Sequence, residues 1–287
     1  MATTYNNLYL DLRQALRGAD IPGASLEARE MVCFAADKTR ESFFRDLNLY
    51  VSDETVQKAM ALLRRRLGGE PLAYLIGEWE FYGLPLEVTR DVLIPRVDTE
   101  RLTARAIHLA RKAGENARVL DLCAGSGCIG LAVARNAVNC RVVLADVSET
   151  ILALCKRNAR RNNLLSRVTV FQADALQPPP ALLWDFDVIV CNPPYIPTAD
   201  IEALESTVKD WEPHMALDGG TDGLRFYRAI AEQWQPALRL GGVLLFEVGI
   251  GQADDVGGIL AGSGYESIHI WEDDQRIERI VEGKCNQ

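Results

Sequence analysis

Histidine is scarce in this chain of 287 residues: there are three, His108, His214 and His269, and none stands near a pair of cysteines. The seven cysteines (Cys33, Cys123, Cys128, Cys140, Cys155, Cys191 and Cys285) are odd in number, and Cys123 and Cys128 lie five apart, which is not zinc spacing. These facts argue against a structural metal site or a disulfide framework, and the cysteines read as buried, reduced thiols of a cytoplasmic protein. Positive charge is also in short supply. Lysine and arginine number 31 against 40 aspartates and glutamates, giving a net charge of −9 and a pI near 5.0. That balance disfavours a protein whose main task is to grip phosphate backbones, so no direct nucleic-acid binding is expected. No apolar run reaches the roughly 18 residues that span a bilayer. The opening "MATTYNNLYLDLRQ" lacks the basic and apolar regions of a signal peptide. There is no internal repeat, and the one low-complexity patch, "QPPPA", is a loop.

What is present is the composition of a globular protein, with 48% hydrophobic and 25% charged residues. The length suits one ordinary domain plus a small one. The first part reads helical: Leu8, Leu12 and Leu16 recur at helical spacing, and "SLEAREMVCFAADK" opens on Ser25 as a predicted N-cap. A third run, "SDETVQKAMALLRRRLGG", starts with Ser52 and two acids and ends with Arg64, Arg65, Arg66 and two glycines. That order complements the helix dipole, so the arginines read as a helix C-terminus before they read as a nucleic-acid contact. The period then shortens: "GEWEFYGLPLEVTRDVLIP" predicts a β-hairpin around Gly83. The expected organisation is a helical domain over 1–75, a hairpin connector over 76–97 and an α/β domain over 98–287.

From Asp98 onward strands and helices alternate as in a parallel α/β sheet. The predicted strands are "RVLDLCA", "RVVLADV", "RVTVFQAD", "FDVIVCN", "GGVLLFEVG", "ESIHIWED" and "RIERIVEG", with helices over Ile129–Asn136, Ser148–Asn162, Leu224–Leu238 and Gln252–Ala261. Only "DQ" separates the final two strands, too short for a crossover, so they are expected to run antiparallel.

The stretch "VLDLCAGSGCIGLAVA" combines a strand, a glycine turn and a helix start. Its Gly125-x-Gly127-x-x-Gly130 also fits a dinucleotide fingerprint, which alone is a weak signal. Asp121 stands before the turn, where a carboxylate can reach a ligand's amino group. Asp146 ends the next strand, spaced for a ribose diol, and Asp174 ends the third, near where an adenine amine would lie. A carboxylate at each of three strand ends repels pyrophosphate and suits a cationic, phosphate-free nucleoside, S-adenosyl-L-methionine. Each aspartate taken singly also reads as a helix cap.

The fourth strand ends in Asn192-Pro193-Pro194-Tyr195. Proline fixes φ, removes the N–H and extends its predecessor, so this tetrapeptide is stiff and offers carbonyl acceptors with almost no donors. A double proline by itself also reads as a strand terminator.

These residues resemble class I, S-adenosylmethionine-dependent amino-methyltransferases, in which Asp121-x-Cys123-x-Gly125-x-Gly127, Asp146, Asp174 and Asn-Pro-Pro-Tyr come in this order. More closely, "EFYGLPLEVTRDVLIPRVDTE", "NPPYI", "EPHMALDGGTDGLRFYRAI" and "GGVLLFEVGIGQ" resemble the release factor glutamine N5-methyltransferase family, from about Glu78 to the last strand. The Asn-Pro-Pro-Tyr motif is shared with adenine N6-methyltransferases, whereas the segment around "IPRVDTE" is far more specific. Three positions depart from the family: Cys123 stands where glycine is usual, Val97-Asp98 replaces Pro-Glu, and Ala175 replaces an aromatic found in some members.

The resemblance implies a Rossmann-like, seven-stranded, mostly parallel sheet with its last strand antiparallel, behind a small N-terminal helical domain. It implies a cofactor, S-adenosyl-L-methionine, held by Asp121, Cys123, Ala124, Gly125, Ser126, Gly127, Asp146, Asp174, Ala175 and Asn192. It implies further that Asn192, Pro193 and Tyr195 carry the chemistry, with Pro194 completing the substrate site. The Asn192 side-chain carbonyl and the Pro193 backbone carbonyl would accept the two N–H groups of a glutamine amide, and Tyr195 would lie against its flat face. The partner implied is a peptide-chain release factor, methylated in its Gly-Gly-Gln loop. A ribosomal-protein glutamine methyltransferase, an adenine N6-methyltransferase and a non-catalytic nucleotide-binding protein remain as alternatives at this point.

Overall fold

The structure, a computed structural model, describes residues 3–273 and 275–286. Asp274, in the predicted link between the last two strands, lies outside the described residues. The chain forms two compact units, Met1–Gly77 and Glu78–Gln287.

The first unit holds helices α1 (Tyr5–Gly18), α2 (Ala24–Ala36), α3 (Arg40–Arg45), α4 (Asp53–Leu67) and α5 (Leu72–Ile76). Leu8, Leu12 and Leu16 form the buried stripe of α1, as their spacing predicts. Helix α2 starts one residue before the expected cap. Gly23, in left-handed conformation at φ 72°, takes the cap position, and Ser25 sits inside the first turn. Ser52 caps α4 as expected, accepting from the Thr55 N–H at 3.2 Å. The three arginines end that helix, and two of them are consumed within the unit: Arg65 pairs with Glu70 at 2.7 Å and the buried Arg66 with Glu27 at 2.6 Å.

The second unit opens with the hairpin β1 (Glu78–Phe81) and β2 (Leu84–Glu87). Its two-residue turn, Tyr82-Gly83, has positive φ at both positions (51° and 74°), the geometry that matches the twist of paired strands. The α/β layers follow as α6 (Thr99–Ala113), β3 (Arg118–Leu122), α7 (Cys128–Asn136), β4 (Arg141–Asp146), α8 (Glu149–Arg161), β5 (Val168–Gln172) and β6 (Phe186–Cys191). They continue as α9 (Ser206–Lys209), α10 (Arg225–Gln233), β7 (Leu238–Glu247), α11 (Ala253–Gly262), β8 (Tyr265–Glu272) and β9 (Glu278–Cys285). The helix expected over Leu224–Leu238 is shorter because Pro236 cannot continue it; a 3-10 turn over Gln235–Ala237 leads directly into β7.

The seven-stranded sheet has the order β5-β4-β3-β6-β7-β9-β8. Pairs from β5 through β7 are parallel, and β9 runs antiparallel between β7 and β8. Alternation along each strand sends Leu120, Leu122, Ile189, Cys191, Leu244 and Phe246 into a buried core shared with Tyr227 and Trp234. The order reverses direction between β3 and β6, and in such sheets the crevice beyond the strand ends at that switch point is where ligands bind.

Candidate active site

A cavity of about 390 Å³ occupies that crevice. Its floor is the turn after β3. Cys123 has φ 60°, Gly125 φ 55° and Gly127, the N-cap of α7, φ 80°. Cys123 thus holds a left-handed conformation that glycine takes freely and other residues take at about 1–2 kcal/mol, which is why glycine suits this position and the cysteine is strained there. The third glycine serves packing: a Cβ on Gly130 would stand 2.3 Å from Leu144 Cδ2 and 3.0 Å from Asp121. Asn158 on α8 fastens the turn to the hairpin, donating to the carbonyls of Ser126 (3.0 Å) and Glu87 (2.9 Å).

The structure separates the three carboxylates that the sequence groups together. Asp146 lines the cavity, and its two oxygens accept from the backbone N–H groups of Gly125 and Ser148, each at 3.1 Å. Burial raises its pKa. Asp174 also lines the cavity, half-buried, and accepts from the Leu176 N–H at 2.9 Å. Asp121 does not line it. Fully buried behind the turn, it accepts from the Gly130 N–H at 2.8 Å, while its Oδ1 has no hydrogen-bond partner. It stands between strand and helix, and burial pushes its carboxyl up to about 8. Cys123, Ala124, Gly125, Ser126 and Ala175 all border the cavity; Gly127 lies beneath it. The Ala175 carbonyl is held by the indole N–H of Trp234 at 3.1 Å.

Asn192 and Pro194 supply the wall at the end of β6. Pro193 is buried inside the turn, and Tyr195 packs towards the core away from the cavity lining. Burial raises its phenol to about 12. Glycines crowd its main chain: a Cβ on Gly219 would stand 2.7 Å from Tyr195 Cα, and one on Gly223 would stand 2.3 Å from the Tyr195 carbonyl oxygen. Three further side chains brace this turn, and sequence reasoning assigned none of them a role. Asn192 Nδ2 donates to Thr99 Oγ1 at 3.4 Å, Gln252 donates to the Tyr195 carbonyl, and the buried Glu247 ends the adjacent strand. Each lies within a segment that carries the family resemblance, "IPRVDTE" or "GGVLLFEVGIGQ", so the signal was present without a geometry to interpret it.

The cavity rim joins two irregular segments. The Ile94 N–H donates to Glu212 Oε2 at 3.2 Å, Arg96 pairs with the same buried carboxylate, and the Arg90 guanidinium lies 4.7 Å from the Trp211 ring centre. Asp91, Pro95 and Arg96 on one side thereby face Pro213, His214 and Met215 on the other.

The sheet order, with one antiparallel strand slotted in beside β7, and a glycine turn set against acidic strand ends define a class I methyltransferase. Comparison with known proteins bears this out: a family model described as "Methyltransferase small domain" matches residues 102–219, and one described as "PrmC N-terminal domain" matches 7–77. The catalytic domain of hMettl16, in complex with a MAT2A 3'UTR hairpin, superposes with a TM-score of 0.56 at 17% identity, covering 84% of this chain and 86% of that one, and so shares the fold. A release factor glutamine methyltransferase of Geobacter sulfurreducens is 40% identical over 266 residues, 92% of this chain and 90% of its own length. A protein of the same name in Thermodesulfovibrio yellowstonii is 36% identical over 256 residues, 89% and 90% of the two chains. The chain belongs to the release factor glutamine methyltransferase family.

The cavity fits the cofactor of such enzymes. Four aspartates, Asp91, Asp146, Asp174 and Asp218, line the pocket against two arginines, Arg96 and Arg225, with apolar wall from Ala124, Ile129 and Ala175, and this acidic excess suits a cationic nucleoside. Among the described residues, no helix is long and apolar enough to cross a membrane.

Proposed function

We propose that this enzyme methylates the side-chain amide nitrogen (N5) of the glutamine in the Gly-Gly-Gln loop of peptide-chain release factors, in the cytoplasm. The observation that carries this reading is the rigid Asn192–Tyr195 turn bordering the cofactor cavity in a chain 40% identical to a release factor glutamine methyltransferase over nine-tenths of both lengths. Bound S-adenosyl-L-methionine supplies an activated methyl group. Asp146 binds the ribose hydroxyls, Asp174 and Ala175 adjoin the adenine, and the turn Cys123–Gly127 supports the remainder.

An amide nitrogen is a poor nucleophile because its lone pair is delocalised into the carbonyl. Asn192 Oδ1 and the Pro193 carbonyl accept its two N–H groups, which orients the nitrogen and favours a more pyramidal geometry. The methylated nitrogen then loses one proton, so no strong base is needed. Because the prolines hold both acceptors in place beforehand, little reorganisation remains for the reaction. Positioning of this kind is worth up to about 7–11 kcal/mol. The half-buried Tyr195 lies against the flat face of the amide, and the helical unit Met1–Gly77 holds the body of the partner. The cytoplasmic assignment draws support from Cys33, Cys128, Cys140, Cys155 and Cys191, which are buried as thiols.

The test is incubation with labelled methyl donor and whole release factor, followed by mapping of the modified residue. The expected result is one methyl group on the Gly-Gly-Gln glutamine and none on its Gln→Glu variant, which brings negative charge and no donors; sites built this way discriminate by about 10⁴ or more. Preferential labelling of a ribosomal protein or of duplex DNA would overturn the assignment.

A further inference from the structure

Asn192 acts in the proposed reaction only if its amide is turned the right way, since one end of that group accepts hydrogen bonds and the other donates them. Two buried residues face its donor end. Thr99, 2% exposed, is the first residue of α6 and receives the Asn192 Nδ2–H on its hydroxyl oxygen at 3.4 Å. Glu247, 5% exposed, closes β7 one residue beyond the last pairing of that strand with β6, Cys191 with Phe246. The Thr99 hydroxyl and the Asn192 amide both favour the charged form of the Glu247 carboxyl, whose Oε2 has no hydrogen-bond partner of its own. A carboxylate can only accept. An ionised Glu247 would therefore draw the Thr99 proton towards itself and leave the Thr99 lone pair for Asn192.

We infer that Glu247 and Thr99 are positioning residues for methyl transfer, fixing the Asn192 amide with its NH₂ inward and its carbonyl oxygen towards the cavity. This rests on the function proposed above. Neither residue has to touch the transferred methyl group. Protonation of Glu247 would break the device, because a neutral carboxyl can donate to the Asn192 oxygen and so support the flipped amide. Burial raises that carboxyl to about 7, opposed by Thr99, Arg279 on β9 and Asn192 and reinforced by Asp98 at the start of α6. The other groups around it are Tyr195, the Cys128 thiol on α7, and the Tyr227 hydroxyl of α10, which donates to the Glu247 backbone carbonyl at 2.9 Å.

The experiment compares wild type, Glu247→Gln, Thr99→Val and Thr99→Ser in the full chain. Glu247→Gln and Thr99→Val should each lower kcat tenfold to a hundredfold, with KM for release factor and cofactor affinity within threefold of wild type. Thr99→Ser, which keeps the hydroxyl, should restore kcat to within threefold of wild type. The wild-type kcat should rise with pH through an inflection near 7 that is missing in Glu247→Gln. The Asn192 side-chain NH₂ resonances, followed by ¹⁵N NMR without any substrate, should titrate at the same pH in wild type and stay still in Glu247→Gln. A kcat unchanged in Thr99→Val, or Asn192 resonances indifferent to pH and to Glu247→Gln, would overturn the inference. Absence of release factor methylation by wild type, with the Asn192 titration intact, would instead count against the function alone.

Discussion

Gln252 clamps the Asn-Pro-Pro-Tyr turn: its Nε2 donates to the Tyr195 carbonyl at 3.0 Å, while its Oε1 accepts from the Gly249 N–H at 3.0 Å. One side chain thus ties the exit of β6 to the exit of β7. Gln252→Ala leaves both backbone groups to find other partners and loosens the turn by about 1–2 kcal/mol. The expected result is a kcat lowered roughly tenfold with cofactor affinity unchanged, measured by steady-state methylation and calorimetry.

Asn192→Ala removes one of the two acceptors proposed for the substrate amide. Turnover should fall by roughly 10²–10³, the usual cost of deleting one preorganised polar partner, while the folded protein still binds S-adenosyl-L-methionine. A kcat within threefold of wild type would contradict the role given to this residue.

Asp146→Ala should act chiefly on the cofactor. A charged acceptor for a hydroxyl contributes about 1.5–3 kcal/mol, so binding should weaken on the order of tenfold to a hundredfold. Because Asp146 also receives the Gly125 and Ser148 N–H groups, Asp146→Asn, which retains an acceptor for the turn, should lose less affinity. Isothermal titration calorimetry on both variants reads the difference.

Gly223→Ala tests the close approach behind Tyr195. The added methyl would meet the Tyr195 carbonyl oxygen at 2.3 Å, and φ is 74°. Overpacking and a left-handed non-glycine together should cost on the order of 2–4 kcal/mol, visible as a lower urea midpoint.

Stability should also decline with pH between about 5 and 8. Burial holds Asp121 at about 8 and Glu247 at about 7, so the native state keeps protons that the unfolded chain has already lost. Where the unfolded state binds fewer protons, rising pH favours it, by ~1.4 kcal/mol per pH unit for each such group. Exposed carboxylates with lowered pKa, such as Asp222 at about 2, exert the opposite effect only below this window. Asp121→Asn, which still accepts from Gly130, should flatten the slope by one group's share in urea titrations across the range.

The sheet was legible because its strands are short apolar runs bounded by turn residues, and "DQ" alone dictated the antiparallel partner. The place of β9 between β7 and β8 was not, since pairing partners distant in sequence leave no local mark. The same contrast governs the site. Asp146 and Asn192 stood out because they end strands at the cofactor turn. Asp121 shares that pattern yet faces inward, because β3 alternates its side chains and position 121 points at Gly130 on α7. Tyr195 is read in sequence as an aromatic beside a substrate, and only the fold shows Gly219 and Gly223 closing on its main chain and Gly249 on its ring. Such a cradle is recognisable only once the loops that carry it are folded together.

Strand β9 enters the sheet between two strands made before it, and its Ile280 sits beside Glu247. Until β9 is made, β7 and β8 have open edges facing each other, a condition prone to mispairing. The surroundings of Glu247, Arg279 included, do not exist until Glu278–Cys285 has left the ribosome. The cofactor turn after β3 is thus complete in the chain well before the environment of Glu247, which waits on a strand made about 150 residues later.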